Sequence, residues 1–232
     1  MPYLSVEEVK LLHGDCLELM KDVPDKSVDL ILTVGCLIFG KMRIEMSRIK
    51  GLHSVREREQ HDFYATDPES TNLMLSKITL NGNILEPNCG EGHISEVLKQ
   101  KGYSVYSTDL IDRGYGEEVG IDFLTHDYGK KFDNVVMNPP FKDIELFINK
   151  ALEVSNDKVV VFARLQLLES VRRKAMFEST PIKVVLVHSS RQCAWKNGSP
   201  TDENGKKWAS TQAYAWFVWE HGYEGKPEIE WI

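Results

Sequence analysis

The sequence predicts an α/β domain built around a mostly parallel β-sheet, and three observations support this fold class. Short apolar runs of strand length alternate along the chain with segments in which apolar residues recur at helical spacing. A glycine-containing turn directly follows one apolar run and opens a helix, which is a junction typical of β–α units. Hydrophobic residues make up 42% of the 232 residues and charged residues 27%, as is ordinary for a globular domain of this length.

The alternation of strands and helices is regular from residue 62 onward. The apolar runs predict strands at Asn83–Leu85, Tyr103–Thr108, Phe132–Met137, Lys158–Ala163, Lys183–His188 and Ala213–Trp219. Helical spacing predicts helices at Ile94–Lys101, Ile144–Val154 and Leu167–Phe177. Because parallel sheets bind ligands at the carboxyl ends of their strands, the residues that follow these strands are the candidates for a functional site.

The first candidate site is the turn Glu86-Pro87-Asn88-Cys89-Gly90-Glu91-Gly92, which follows the first predicted strand of this domain. Gly90 and Gly92 let the backbone turn sharply and let a ligand approach closely. The full dinucleotide-binding pattern G-x-G-x-x-G is absent, because Ser95 stands at its third glycine position. The turn therefore indicates a ligand site but disfavours a dinucleotide.

Two acidic residues follow in the order that a nucleoside site requires. Asp109 comes directly after the strand Tyr103–Thr108, where a carboxylate can accept hydrogen bonds from both hydroxyls of a ribose. Asp122 can accept a hydrogen bond from an adenine amino group, and Phe123 beside it can flank the ring. Each acid alone is more typical of a turn or a cap, but their order after one glycine turn favours a binding role.

The strip Asn138-Pro139-Pro140-Phe141 follows the strand Phe132–Met137 and carries the strongest chemical signal. Its two prolines stiffen the chain, so the Asn138 amide oxygen and the Pro139 carbonyl become fixed acceptors. Phe141 adds a flat stacking surface. Two acceptors that hold the N–H bonds of a planar amine localise its lone pair, which is catalysis by positioning and preorganised electrostatics. A strand-ending proline turn is the alternative without chemistry.

The order of these motifs resembles that of amino-methylating S-adenosylmethionine enzymes, and most closely that of the small phage-type DNA N6-adenine methyltransferases. The resemblance covers about Asp62 to Ile232. It is carried by Asp62-Phe63-Tyr64-Ala65-Thr66-Asp67-Pro68, the Glu86–Gly92 turn, Asp109, Asp122 and the Asn138–Phe141 strip. It implies a Rossmann-like methyltransferase fold whose last strand is antiparallel, with S-adenosylmethionine as the cofactor and DNA as the partner.

The resemblance also implies a role for each matched position. Tyr64, Thr66 and Pro68 border the methionine end of the cofactor, Glu86 to Gly92 wrap it, Asp109 holds its ribose and Asp122 faces its adenine. The target adenine, flipped out of the duplex, has to reach Asn138. Because the strip indicates an amine or amide nitrogen in general, RNA adenine, cytosine N4 and a protein glutamine stay open as targets, as does a catalytically silent nucleic-acid-binding module.

The segment Ser189–Ser210 is the expected contact for the target. It contains Arg191, Trp195, Lys196, Lys206 and Lys207 among glycines and a proline. Mixed cations and aromatic residues suit phosphate contact and base stacking, although an ordinary solvated loop fits the composition equally well. The formal net charge of −7 argues weakly against a nucleic-acid partner, but a local basic patch can act within an acidic protein.

The sequence predicts three parts: an N-terminal piece of residues 1–40, a linker of residues 41–61 rich in Arg, Lys and Glu, and the methyltransferase-like domain of residues 62–232. Leu11–Glu18 and Ser27–Thr33 resemble the opening of DNA amino-methyltransferases that begin with their catalytic half. Val34-Gly35-Cys36-Leu37 stands where those enzymes have Asp-Pro-Pro-Tyr, so no catalysis is assigned to this piece. A strand pair of about 35 residues builds no core alone, so we expect it to dock or to stay loosely ordered.

Several other classes of protein are disfavoured. The four cysteines are far apart and form no C-x-x-C pair, so neither a zinc site nor a disulfide scaffold is expected. The opening residues lack the basic and apolar regions of a secretory signal. The longest apolar run, Leu30–Phe39, is about half as long as a membrane-spanning helix. The expected location is the cytoplasm of a bacterium or of a phage-infected cell, without a membrane partner.

Overall fold

The structure is a computed structural model that describes residues 63–192, 194–196, 198–201, 204–206, 208 and 212–232. All of these residues belong to one compact unit. The predicted N-terminal piece and linker lie outside the described residues, and the division into three parts stays a prediction. Among the described residues, none of the helices has the length and apolar character that crossing a bilayer requires.

Strands and helices alternate along most of the described chain. In chain order they are β1 (Tyr64–Ala65), α1 (Pro68–Leu75), β2 (Asn83–Glu86), α2 (His93–Gln100), β3 (Ser104–Asp109), β4 (Glu118–Val119), β5 (Phe132–Met137), α3 (Ile144–Val154), β6 (Ser155–Arg164), a 3-10 helix (Leu165–Leu168), α4 (Val171–Ser179), β7 (Ile182–Val187), β8 (Trp195–Lys196), β9 (Tyr214–Glu220) and β10 (Glu228–Trp231).

Eight of these strands form one sheet in the order β10-β7-β9-β6-β5-β2-β3-β4, and β1 pairs with β8 separately. β9 runs antiparallel to both of its neighbours, and every other pairing within the large sheet is parallel. The predicted Rossmann-like α/β fold with a mostly parallel sheet is therefore confirmed. One detail differs, because the antiparallel strand is followed by a short parallel edge strand, β10, which the sequence analysis did not predict.

The core lies on both faces of the sheet, because alternate residues of the central strands point to opposite sides. Val135, Val159 and Val161 belong to one buried cluster, whereas Val136 and Val160 belong to the other. Such strands read as continuous apolar runs, as parallel strands covered on both faces do. This continuity is why the apolar runs predicted the central strands well.

The helix predictions succeeded where the apolar spacing was regular. α3 begins and ends at the predicted residues, and its Ile144, Ile148 and Ala151 are buried against the sheet. The predicted helix Leu167–Phe177 is instead divided, because the backbone at Ser170 is extended, with φ −179° and ψ 134°. α1 was missed, although Asp67 caps it by accepting a hydrogen bond from the Glu69 amide at 2.9 Å and Pro68 occupies its first turn.

The strand order creates a crevice that positions the candidate site. From β2 the chain proceeds to β3 and β4 on one side, and it places β5 and β6 on the other side. The carboxyl ends of β2 and β5 therefore flank a topological switch point, where open α/β sheets bind their ligands. The glycine turn follows β2 and the Asn138–Phe141 strip follows β5, so the fold brings the two strongest motifs together.

Candidate cofactor and target site

The glycine turn is fastened to both neighbouring strand ends by hydrogen bonds. The Asn88 side-chain amide donates to the backbone carbonyl of Asn138, with Nδ2 and O 2.5 Å apart. The Cys89 amide donates to the Thr108 carbonyl at 3.0 Å, and the Gly90 amide donates to Asp109 Oδ2 at 2.7 Å. The turn, the acid after β3 and the strip after β5 thus form one connected arrangement.

The side chain of Asn138 has a fixed orientation. Its Nδ2 donates to the backbone carbonyl of Tyr64 at 2.9 Å and to the hydroxyl of Thr66 at 3.1 Å. Because a backbone carbonyl only accepts hydrogen bonds, the Tyr64 contact identifies the nitrogen end of the amide. Asn138 Oδ1 is left as the free end, and no described residue donates a hydrogen bond to it.

The two prolines complete a rigid strip. Pro139 is buried and Pro140 is exposed, and their rings fix the backbone φ of both residues. None of the described backbone amides donates to the Pro139 carbonyl. The strip therefore offers two acceptors, Asn138 Oδ1 and the Pro139 carbonyl, on a backbone that has little freedom to move.

Asp109 stands at the end of β3 and is 7% exposed. Besides the hydrogen bond from the Gly90 amide, it accepts one from the Ile111 amide on Oδ1 at 2.8 Å. It also forms an ion pair with Arg113 at 3.3 Å. The Arg113 guanidinium also lies over the ring of Phe63, 4.9 Å from its centroid. A carboxylate oxygen accepts more than one hydrogen bond, so Asp109 retains acceptor capacity for a ribose hydroxyl.

The glycines of the turn are closely covered. A Cβ added to Gly90 would lie 2.1 Å from the Phe63 ring, and one added to Gly92 would lie 2.4 Å from the Tyr115 ring. Both glycines have positive φ, at 57° and 82°, a backbone conformation that residues other than glycine rarely adopt. The predicted need for glycine at both positions therefore has two physical causes, the backbone conformation and the aromatic rings packed on it.

Glu86 is held deeper than the sequence suggested, because it is 1% exposed. The Ser95 hydroxyl donates to Glu86 Oε2 and lies 2.6 Å from the Ser107 hydroxyl. Burial raises the pKa of the Glu86 carboxyl to about 8, although the hydrogen bond from Ser95 opposes this shift. In this structure Glu86 supports the turn from the sheet side, as does Pro87, which is also buried.

The raised pKa of Glu86 predicts a pH-dependent stability. The carboxyl ionises near pH 4.5 when the chain is unfolded and near pH 8 in the folded protein, so its contribution is complete below pH 4.5 and is lost as the pH rises to 8. The free energy of unfolding should fall by about 1.4 kcal/mol per pH unit in this window relative to Glu86→Gln.

Urea unfolding of wild type and of Glu86→Gln at pH 5, 6, 7 and 8 measures this difference. The comparison is needed because His188, whose pKa burial lowers to about 4, titrates in the same protein. Parallel stability curves for the two proteins would show that Glu86 keeps an ordinary pKa and contradict the prediction.

Phe123 is not free to flank an adenine ring, which corrects the sequence-based expectation. Its side chain is 2% exposed and packs in the core against Tyr128 and Phe147. Asp122 is exposed, and it accepts the Leu124 amide at 3.0 Å as a turn-capping residue does. Leu110, 53% exposed and directly after Asp109, is an apolar side chain at the switch point that sequence analysis missed.

Part of the segment Ser189–Ser210, which is expected to contact the target, lies beside the glycine turn. Trp195 and Lys196 form β8, which pairs with Ala65 and Tyr64 of β1. Trp195 makes an edge-on ring contact with His93 at 5.7 Å. Trp195 is therefore half-buried beside the glycine turn, and its contact with the target stays a prediction.

The remaining members of that segment have different surroundings. Arg191 and Lys206 are exposed and stay predicted contacts. Lys207 lies outside the described residues. Phe141 is half-buried, with the Arg164 guanidinium 4.4 Å from its ring centroid, so one face of the expected stacking surface is already covered.

Two further observations concern potential metal ligands and the cysteine beside the turn. No group of three or more potential ligands for a metal ion occurs among the described residues. Burial raises the pKa of the Cys89 thiol to about 12, with Glu86 and Asp109 adding to the shift. The only cysteine described beside the turn is thus a thiol at neutral pH and not a nucleophile.

One cavity lies away from this arrangement. It has a volume of about 300 Å³ and is lined at the opposite edge of the sheet by Lys77, Lys158, Lys183, Glu220 and Glu230, among others. Lysines and glutamates there pair with one another, as Lys183 and Glu220 do at 2.9 Å. The candidate site is therefore identified by the motifs and their contacts.

No protein-family model matches the sequence, and a comparison with curated proteins finds no match either.

Several solved structures are similar to this chain at low sequence identity. The modification subunit proposed for a type I restriction enzyme of Vibrio vulnificus YJ016 is 12% identical, with a TM-score of 0.46 over 71% of this chain and 45% of that one. Magnesium protoporphyrin IX methyltransferase of Synechocystis PCC 6803, crystallised with S-adenosylmethionine, is 11% identical, with a TM-score of 0.46 over 66% of this chain and 78% of that one.

A third similar structure is an S-adenosylmethionine-dependent O-methyltransferase of Thermotoga maritima. It is 14% identical, with a TM-score of 0.44 over 70% of this chain and 68% of that one. The chain spans less than half the length of the restriction-enzyme subunit. These similarities select no target for this chain.

Proposed function

We propose that this chain transfers a methyl group from S-adenosylmethionine to the exocyclic N6 amine of adenine in DNA. The observation that carries the proposal is the anchored Asn138 amide. Its nitrogen is held by Tyr64 and Thr66, which leaves its oxygen as an acceptor beside the rigid Pro139 carbonyl. The pair stands at the switch point, next to the glycine turn.

The residues around the turn suit this cofactor chemically. Asn88 Oδ1 is buried and has no hydrogen-bond partner among the described residues, so it can accept from the cofactor's ammonium group. By the family resemblance, we expect Asp109 to hold the ribose hydroxyls, Asp122 to face the adenine amino group, and Pro68 and Tyr64 to border the methionine end. When bound, S-adenosylmethionine supplies a methyl group on a positively charged sulfur.

The protein's part in the reaction is to prepare the target nitrogen. The lone pair of an exocyclic amine is delocalised into the aromatic ring, so the free base is a weak nucleophile. Asn138 Oδ1 and the Pro139 carbonyl accept its two N–H bonds and favour a tetrahedral nitrogen whose lone pair is localised. Fixed acceptors need no reorganisation during the reaction, which is the main source of such catalysis.

The choice of adenine in DNA rests on the family resemblance and on the cationic residues of the segment Ser189–Ser210, which is the expected contact for the target. A flipped base is required, because the amine cannot reach Asn138 from within a duplex, and flipping costs a few kcal/mol. RNA adenine, cytosine N4 and a protein glutamine present the same type of nitrogen. A silent binding module would bind the cofactor without transferring its methyl group.

A labelled-methyl assay tests the proposed target. The protein is incubated with methyl-labelled S-adenosylmethionine and an equimolar mixture of DNA, RNA and a glutamine-containing protein, which are then separated. Label in DNA is the expected result. Label in RNA or protein alone would show that this macromolecule, and not DNA, is the methyl acceptor. Cofactor binding without methyl transfer would identify a catalytically silent module.

Thr66 is expected to act as a positioning residue through its bond to Asn138. The side chain is 2% exposed, so Thr66→Val keeps its shape and removes the hydroxyl acceptor. One hydrogen bond is worth about 1 kcal/mol, so kcat should fall about fivefold to tenfold with KM nearly unchanged.

Steady-state kinetics with Thr66→Ser as the control measures this effect. Serine keeps the hydroxyl, and we expect it to retain most of the wild-type kcat. An equal loss in both variants would indicate packing at Thr66 instead of the hydrogen bond to Asn138.

A further inference from the structure

Arg164 lies beside the catalytic strip, and the sequence analysis did not single it out. It is the last residue of β6, the neighbour of β5 in the sheet. Met137, which precedes the strip, pairs with Val161, three residues before Arg164. Both segments leave the sheet at the same edge, and the Arg164 guanidinium lies 4.4 Å from the centroid of the Phe141 ring.

Arg164 has no carboxylate partner among the described residues. Its Nε is fully buried without a hydrogen bond, and none of the described ion pairs includes it. Arg113, Arg172 and Arg173 each pair with a carboxylate instead. The side chain as a whole is half-buried, so its charge reaches the surface while its Nε is buried without a partner, and this arrangement indicates that a ligand supplies the anion.

Aromatic residues packed next to Arg164 limit the movement of its side chain. Tyr214 pairs with it across the antiparallel β6–β9 ladder and is 6% exposed. Tyr214 stacks on Phe162 at 5.0 Å and lies 6.2 Å from Phe141. The guanidinium therefore rests on a rigid aromatic platform at the edge of the sheet, which is a geometry that preorganises an anion contact.

The position of Arg164 separates it from the cofactor motifs. The glycine turn follows β2 and Asp109 ends β3, whereas Arg164 ends β6, so β5 with its catalytic strip stands between them. An anion bound by Arg164 would therefore approach the strip from the side away from the turn. That is the side on which a target must enter if the cofactor occupies the turn.

We propose that Arg164 binds a backbone phosphate of the nucleic-acid strand that carries the target base. The inference rests on the proposed function and names a contact on the substrate. The planar guanidinium matches phosphate oxygens in a bidentate manner, and Phe141 holds its plane. Phe141 is thus a support for Arg164 on the covered face. A protein glutamine offers no phosphate at this place, so the contact favours a nucleic-acid target.

The test measures DNA binding and cofactor binding separately in Arg164→Gln. Fluorescence anisotropy with a short duplex that contains an unpaired adenine, at several salt concentrations, gives the DNA affinity. Calorimetry with S-adenosylhomocysteine gives the cofactor affinity. We expect DNA binding to weaken about tenfold, the salt slope to fall by about 1 and the cofactor affinity to stay unchanged.

Two further variants control the experiment. Arg164→Lys keeps the charge and should restore the salt slope while recovering only part of the affinity, because lysine lacks the planar fork. Arg172→Gln removes an exposed arginine that pairs with Glu145 and should leave both affinities unchanged. Thermal unfolding of each variant shows whether the protein is folded.

Three outcomes overturn the inference. DNA affinity unchanged in folded Arg164→Gln shows that no phosphate is bound there, and loss of S-adenosylhomocysteine affinity shows that the anion belongs to the cofactor. If the wild type methylates DNA while Arg164→Gln binds DNA normally, only this inference fails. If the wild type neither binds nor methylates nucleic acid, the proposed function itself fails.

Discussion

Replacing Asn138 by alanine is expected to slow methyl transfer about 100-fold to 1,000-fold, which is the usual cost of removing one preorganised group that stabilises a transition state. Alanine removes Oδ1, the free acceptor, and also the amide that holds the strip to Tyr64 and Thr66. Affinity for S-adenosylhomocysteine should be nearly unchanged, because the turn is bonded to the Asn138 backbone and not to its side chain.

Single-turnover kinetics with saturating cofactor measures this loss. Asn149→Ala, which removes an exposed asparagine of α3, is the matched control and should keep the wild-type rate. An active Asn138→Ala enzyme would show that the two-acceptor mechanism is wrong, whatever the target is.

Replacing Gly90 by alanine is expected to abolish useful cofactor affinity and to destabilise the fold by about 1–3 kcal/mol, the range typical of forced overpacking. The new Cβ would lie 2.1 Å from Phe63 Cε2, at a residue with φ +57°. The ring cannot move without disturbing Arg113, which lies over it and pairs with Asp109.

Gly129→Ala separates backbone strain from crowding in this test. Gly129 has nearly the same φ, +61°, and its Cβ would meet no atom within 4 Å. Its amide also donates to an aspartate, Asp127, at 2.9 Å. The control should lose about 1 kcal/mol of stability and keep the affinity for S-adenosylhomocysteine. Equal effects of the two substitutions on affinity would contradict a specific role for the turn.

The central sheet could be predicted from the sequence because its strands are buried on both faces. Phe132–Met137 and Ile144–Val154 have the predicted bounds, since uninterrupted apolar runs and regular helical spacing leave little choice. β1 and β8 could not be predicted in this way. Each has two residues, too few to show any alternation, and their pairing joins segments far apart in the chain.

The candidate site could be predicted as a set of motifs but not as a set of contacts. The strand order brings Asn88, Asp109 and Asn138 together, as the motif order implied. The bond between Asn138 and Thr66, 72 residues apart, depends on how β1 crosses the crevice. Phe123 was misassigned because an aromatic residue beside an acid in a turn looks exposed in sequence, whereas its ring fills the core.

The position of Arg164 in the sequence could have identified it as a candidate for ligand contact. It ends the apolar run Val159–Ala163, and a charged residue at the carboxyl end of a parallel strand is a candidate for ligand contact by the same rule that selected Asp109. What the sequence could not show is that the guanidinium lacks a carboxylate partner among the described residues, which depends on the neighbours that folding brings near it.

Identification of the methylated nucleoside is the most direct test of N6-adenine methylation at Asn138. DNA treated with wild type or Asn138→Ala and methyl-labelled S-adenosylmethionine is digested to nucleosides, which are separated and analysed by mass spectrometry. We expect label in N6-methyldeoxyadenosine with the wild type and almost none with the variant. Label on a carbon or oxygen atom, or equal label with both proteins, would contradict this expectation.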